Sequence, residues 1–174
     1  KDYNALQHAM TKLFEYVTRF DVEDNLITAI RHDNLETVNL INHVKLEATE
    51  LEDCLVPFEE EIRSTMRELT RECYAASTRC TKIQLIQDYP AQMVILTSLI
   101  AFSQQTTGIL KTSKYSGLKR LLSKINEHIE KLSAQIPTQT SSRVSKVLKN
   151  LLIHEVHNRD IIQSLLANDV DRVD

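Results

Sequence analysis

The chain has 174 residues, of which only 2 are glycine and 3 are proline, and 42% of them are hydrophobic and 26% charged. This composition excludes the disordered and collagen-like classes, and so few glycines leave little room for tight hairpins or phosphate-binding loops. The net charge of −3 is divided unevenly, with 16 acidic and 9 basic residues in 1–80 and 8 acidic and 12 basic residues in 81–174. We expect a mainly α protein, an antiparallel helix bundle that forms a single region over 1–174 and is a fragment of a longer chain.

The first 79 residues predict two helices separated by a β-hairpin. Apolar residues at helical spacing indicate an opening helix that ends near Thr18. Alternating and β-branched residues then predict a hairpin at about residues 27–45, in which 27–31 pair with 36–45 around a polar turn. A capping box at 49–52 starts the next helix, which Pro57 kinks or restarts and which continues to about Arg79. Because two lone strands are marginally stable, we expect the hairpin to serve docking rather than packing.

The rest of the sequence predicts three more helices. Asp88 is the expected N-cap of the first, Pro90 lies in its first turn and Gly108 ends it. Since this helix is apolar over most of its circumference, we expect it to be the most buried element. The second is amphipathic and stops at Pro137. Either Thr140 or Ser141 caps the third, which carries a polar stretch at 154–160.

The polar stretch invites comparison with a zinc-binding helix, but its ligand set is incomplete. His157 follows His154 by three residues, whereas the two histidines of the zinc-binding motif are four residues apart, and no further ligands are suitably spaced. Pairing of Glu155 with Arg159 and of His157 with Asp160 is the preferred interpretation. Because the sequence also lacks a GxxxxGK[ST] loop and a GxSxG elbow, we predict no catalytic residue, metal or cofactor in this fragment.

Several partners are disfavoured by composition. The basic stretch 111–124 contains one aromatic residue, Tyr115, and lacks the interleaved aromatic residues of a nucleic-acid stacking surface. The longest apolar stretch, 89–102, is shorter than the roughly 20 residues that cross a bilayer. The three cysteines have no CxxC spacing, which favours a reducing compartment. We therefore expect neither nucleic acid nor a membrane as a partner.

Three parts of the sequence together resemble the linker of dynein heavy chains. Residues 87–96 are similar to its "YPaQvvl" helix, residues 151–161 to its "L…vHxRDv" helix, and residues 27–66 follow its order of strand, turn, strand and helix. The family usually has tryptophan where Cys54 and Phe102 stand here, and glycine at the hairpin turn. The similarity is closer to cytoplasmic than to axonemal dyneins.

The resemblance implies a mechanical role rather than catalysis by this fragment. It places the chain in the ring-proximal part of the linker, before the first AAA+ module, where it would transmit the conformational changes of the ATP-hydrolysing ring into the power stroke. The implied partners are the AAA+ ring of the same chain, the microtubule and other dynein subunits. ATP and Mg²⁺ would bind elsewhere in the full-length motor. The implied location of the motor is the cytoplasm, on the microtubule cytoskeleton. A helical scaffold or adaptor module that binds a protein partner through its hairpin or acidic stretch is the alternative. The family-motif positions are Tyr89, Pro90, Gln92, His157, Arg159 and Asp160, and the hairpin residues that could dock on the ring are His32, Asp33 and Asn34.

Overall fold

The computed structural model describes residues 2–15, 17–32, 36–46 and 51–170. The chain divides into two compact units, Lys1–Arg79 and Cys80–Asp174. The described residues form six α-helices, a short 3₁₀ turn and one three-stranded antiparallel sheet. The predicted mainly α class with an inserted hairpin is therefore confirmed.

The first unit packs two helices against a small sheet. Its elements, in chain order, are α1 (Asp2–Leu13), β1 (Arg19–Glu23), β2 (Leu26–His32), β3 (Glu36–Lys45) and α2 (Leu51–Ala76). The sheet order is β1-β2-β3, and the predicted hairpin is its β2-β3 pair. The opening helix ends at Leu13, not near Thr18, and the chain forms β1, which we did not predict because the strand is short.

The sheet is a core element, which corrects the expectation that it serves docking alone. Buried residues from all three strands pack with α1 and α2 around Phe58, which is fully buried. Phe20 meets the Phe58 ring edge to face, with 5.3 Å between ring centroids. A third strand and two covering helices supply the apolar contacts that an isolated hairpin would lack.

β3 contains a large bulge that α2 stabilises. Ala29 pairs with Asn39 and Ile27 with Val44, so one residue of β2 opposes residues 40–43 of β3. The Ile41 N–H donates to Thr65 Oγ1 (3.1 Å), and the Asn42 N–H donates to Glu61 Oε1 (2.8 Å). Backbone groups released from the ladder are thus satisfied by side chains of α2.

α2 runs without a break through Pro57, its seventh residue. Because proline has no N–H, Pro57 cannot donate to the Asp53 carbonyl, so α2 loses one intrahelical hydrogen bond at this point while the helix continues on both sides. The capping box predicted at 49–52 includes Thr49 and Glu50, which lie outside the described residues.

The second unit is entirely helical. Its elements are α3 (Lys82–Asp88), α4 (Ala91–Lys111), α5 (Lys114–Gln135), the 3₁₀ turn Ile136–Thr138 and α6 (Ser142–Val170). The amphipathic α5 and its end near Pro137 are as predicted. α6 packs antiparallel beside α5, and Ser141 is its cap, since its Oγ accepts from the Val144 N–H at 3.3 Å.

Two predicted boundaries of α4 are wrong. Asp88 is the last residue of α3 rather than an N-cap, because Thr81 and Gln84 form a capping box that starts a separate short helix. Gly108 does not end α4, which continues to Lys111. No atom lies within 4 Å of a Cβ built on Gly108, so this glycine serves no close approach within the unit.

The expectation that α4 is the most buried element is also wrong. Its buried residues are Met93, Val94 and Thr97, whereas Leu96 is 42% exposed. α4 has the length and hydropathy that a membrane-crossing helix needs, but α3, α5 and α6 pack along it in this unit. Hydropathy therefore overestimates its burial.

The bulge generates a prediction about stability. Thr65 is fully buried and its hydroxyl both accepts from Ile41 and donates to Glu61. Thr65→Val keeps the shape but leaves the Ile41 N–H without this acceptor, so we expect the free energy of unfolding to fall by about 1–3 kcal/mol. Ser64→Ala on the exposed side of α2 is the control, with an expected change within about 0.5 kcal/mol. Equal effects in urea unfolding would contradict the role of Thr65.

Two carboxylates of this unit predict sensitivity to acid. Burial raises the pKa of Glu61, but hydrogen bonds from Asn42 and Thr65 outweigh it and hold the pKa below its ordinary value. The hydrogen bond from Arg31 lowers the pKa of Asp21 below its ordinary value, against the effect of burial. Carboxyl groups with lowered pKa values stabilise the fold above their ordinary pKa, and this contribution is lost as the pH falls through the folded-state pKa.

We therefore expect the melting temperature to begin falling below about pH 5, and to fall less in Glu61→Gln than in the wild type. Glu60→Gln, a change at the exposed neighbouring position, should retain the wild-type dependence. Melting curves recorded across the acid range measure the effect, and parallel profiles for the wild type and Glu61→Gln would contradict it.

Candidate functional site at the Pro90 junction and on the last helix

The motif residues Tyr89 and Pro90 form a junction between α3 and α4. Tyr89 has extended backbone angles (φ −127°, ψ 155°), and its N–H donates to the Leu85 carbonyl at 2.9 Å. Pro90 is the N-cap of α4. Proline has no N–H and disfavours helical geometry in the residue before it, so α3 cannot continue into α4. Gln92 is exposed on the first turn of α4.

Arg143, in the first turn of α6, joins this junction to α6. Its guanidinium donates Nη1–H to the carbonyl of Ile86 and Nη2–H to the carbonyl of Tyr89, the second at 2.9 Å. In a continuous helix the Ile86 carbonyl would accept from residue 90, which is a proline here. The N–H of Met93 donates to Pro90 rather than to Tyr89. Arg143 therefore gives the Ile86 carbonyl a donor in place of the N–H that Pro90 lacks, and it also donates to the Tyr89 carbonyl. We call Ile86, Tyr89, Pro90 and Arg143 the Pro90 junction.

Sequence reasoning missed Arg143, although a signal was present. Arginine in the first turn of a helix opposes the preference of the macrodipole for acidic residues at that end. No acidic residue lies in the first turn of α6. The C-terminal end of α3, whose carbonyls carry partial negative charge, offers this cation a favourable partner.

The motif residues of α6 are paired locally and differently from the prediction. His157 and Asp160 are exposed, and Arg159 Nη2 lies 3.1 Å from Asp160 Oδ1. Glu155 Oε1 lies 3.6 Å from Nδ1 of His128 on α5, instead of pairing with Arg159. Within the polar stretch, Asp160 is therefore exposed, whereas Glu155 and Arg159 are half-buried.

A small cleft lined by both apolar and polar residues lies inside the second unit beside this stretch. Its polar lining comprises Lys82, Ser98, His154, Glu155 and Asn158. Lys82 Nζ donates to Ser98 Oγ at 2.6 Å, and the Asn158 residue is only 7% exposed. The cleft has room for about one water molecule, which is far less than a nucleotide needs. Across the described part of the chain, no group of three or more His, Cys, Asp or Glu residues could hold a metal ion.

The structure describes both strands of the predicted docking hairpin but not the turn at 33–35 that joins them. His32 ends β2, is half-buried and pairs with Glu36. Asp33 and Asn34 lie outside the described residues, so their role stays a prediction. The nearby Arg31 pairs with Asp21 across the strands at 2.7 Å and belongs to the sheet itself.

Two arginines of α6 give a matched prediction. Arg143→Ala removes charged donors from two backbone carbonyls and should lower the free energy of unfolding by about 1–3 kcal/mol. Arg159→Ala removes a pair with an exposed neighbour and should cost less than about 1 kcal/mol. Denaturant unfolding of both variants measures the difference, and equal costs would contradict the importance of the junction.

Comparison with known proteins finds dynein heavy chains. The chain is 24% identical over 180 residues to the cytoplasmic dynein heavy chain of Caenorhabditis elegans, with 96% of the chain covered. It is 26% identical to human dynein axonemal heavy chain 3 and 24% identical to human cytoplasmic dynein 2 heavy chain 1, with 98% and 93% of the chain covered. No family model matches.

The chain spans about 4% of the length of each of these relatives. Cytoplasmic and axonemal heavy chains match with similar identity, so the comparison does not favour either type. Over most of its length, the chain is therefore similar in sequence to a short segment of dynein heavy chains.

Proposed function

We propose that this chain is a mechanical segment of a dynein heavy chain, a part of the linker that transmits conformational changes of the AAA+ ring into the power stroke. The observation that carries the proposal is the similarity to dynein heavy chains over more than nine-tenths of the chain. The order of the linker-like motifs along the sequence gives further support, since residues 27–66, 87–96 and 151–161 follow one another as in that element.

The second unit has the physical properties that a lever needs. At 1.5 Å per residue, the 22 residues of α5 span about 33 Å and the 29 residues of α6 about 44 Å. Buried residues of the two helices, among them Leu118, Leu121, Ile125 and Ile162, form one apolar cluster. Close packing of this kind resists compression and transmits strain.

The proposed partners follow from the same assignment. They are the AAA+ ring of the same heavy chain, the microtubule and other dynein subunits, with ATP and Mg²⁺ bound by the ring and not by this segment. The proposed location is the microtubule cytoskeleton, in a cytoplasmic dynein in preference to an axonemal one. The residues for contact with the ring are those of the hairpin tip, His32, Asp33 and Asn34.

Deletion of the whole segment from the full-length motor tests the function directly. We expect the deleted motor to keep basal ATP hydrolysis, because the proposed site of hydrolysis lies in the ring, and to lose microtubule gliding. Gliding at the wild-type velocity would overturn the proposal. Undiminished gliding together with loss of a bound protein partner would instead favour an adaptor module.

The hairpin tip has its own test in the full-length motor. Replacing residues 33–35 by Asn-Gly retains the pairing of His32 with Glu36 and should slow gliding while ATP hydrolysis continues, because a docking contact favours one of two linker positions. The β1-β2 turn offers a control in the same sheet, since Asp24 and Asn25 both have positive φ. Asn25→Gly suits that geometry and should leave gliding unchanged. Wild-type gliding in the tip variant would exclude a docking role for these residues.

A further inference from the structure

Arg143 occupies a position that is unfavourable within its own helix. It lies one residue after the start of α6, near the positive end of the helix dipole, and it is half-buried. Extending and fixing an arginine side chain also costs conformational entropy. Contacts outside α6 must therefore compensate, and the hydrogen bonds to Ile86 and Tyr89 are contacts of this kind.

These two hydrogen bonds differ in kind from the apolar packing of the unit. Apolar contacts resist compression, but they are non-directional and do not tie one particular group to another. A guanidinium is planar and holds its N–H groups in a fixed fork. Two donors on two carbonyls that are three residues apart therefore define both the distance and the orientation of the start of α6 relative to the end of α3.

The Pro90 junction is also a point at which the second unit lacks a continuous helix. α3 and α4 are separate helices, because Pro90 and the extended Tyr89 interrupt the hydrogen-bond ladder between them. Lys82 Nζ on α3 donates to Ser98 Oγ on α4, but this contact is exposed. An interrupted ladder is more easily bent than a continuous helix.

We propose that Arg143 is a positioning residue for force transmission, which holds α6 and the α3-α4 junction together as one body under load. The inference rests on the proposed mechanical function. Arg143 acts through the backbone of Ile86 and Tyr89, and the need for it is created by Pro90.

The dependence on Pro90 is tested in this chain without any motor. Arg143→Ala should lower the melting temperature by roughly 2 °C or more. In a Pro90→Ala background the fall should be smaller, because residue 90 then has an N–H that can be donated to the Ile86 carbonyl. Equal falls in both backgrounds would overturn the assignment of Arg143 to this carbonyl.

The role under load is tested in the full-length motor by measuring the stall force of single molecules. Arg143→Ala should lose stall force while the ATP hydrolysis of each active motor is retained, and Arg143→Lys should recover only part, since an ammonium lacks the planar fork. Lys146→Ala, an exposed cation one turn further along α6, is the matched control and should behave as the wild type. A fold that is merely destabilised would reduce the number of active motors, not the stall force of each one.

The outcomes separate the two proposals. Wild-type stall force in Arg143→Ala, together with lost gliding on deletion of the segment, would overturn the role of Arg143 and leave the mechanical function standing. Wild-type gliding after the deletion would overturn the mechanical function and, with it, any role of Arg143 under load.

Discussion

Backbone N–H and C=O groups that lose their partner within a helix or strand must hydrogen-bond to water or to another protein group, and in the described part of this chain side chains from distant elements supply several of these partners. At the bulge of β3, two backbone N–H groups donate to Thr65 and Glu61 of α2. At the break before Pro90, two backbone carbonyls accept from Arg143 of α6. With only two glycines, the chain has few ways to relieve such groups by an alternative backbone conformation. Polar side chains that reach these groups from other elements therefore help to hold the elements together.

Much of the fold could be predicted from local patterns. The β2-β3 hairpin followed from alternating and β-branched residues, and α5 followed from its amphipathic stripe. The short elements were missed for different reasons. β1 is five residues long, too short for an alternation to be recognised, whereas α3 begins at a capping box, Thr81 to Gln84, that was present in the sequence and overlooked.

Less of the candidate site than of the fold could be predicted from the sequence. Tyr89 and Pro90 could be identified from a motif, but their partner Arg143 is 54 residues from Tyr89 and no local pattern links them. Hydropathy likewise misjudged α4, because it measures how apolar a helix is and not how many of its sides are covered. Both errors concern contacts between elements, which single-sequence periodicity does not contain.

The Pro90 junction also constrains how this sequence can change over generations. While Pro90 is present, loss of Arg143 leaves two carbonyls without their donor, so the arginine is expected to be retained. If position 90 first acquires a residue with an N–H, the Ile86 carbonyl gains a local donor and position 143 becomes freer to vary. The order of substitution therefore matters, and the effects of substitutions at positions 90 and 143 depend on each other although the two positions are far apart in the sequence.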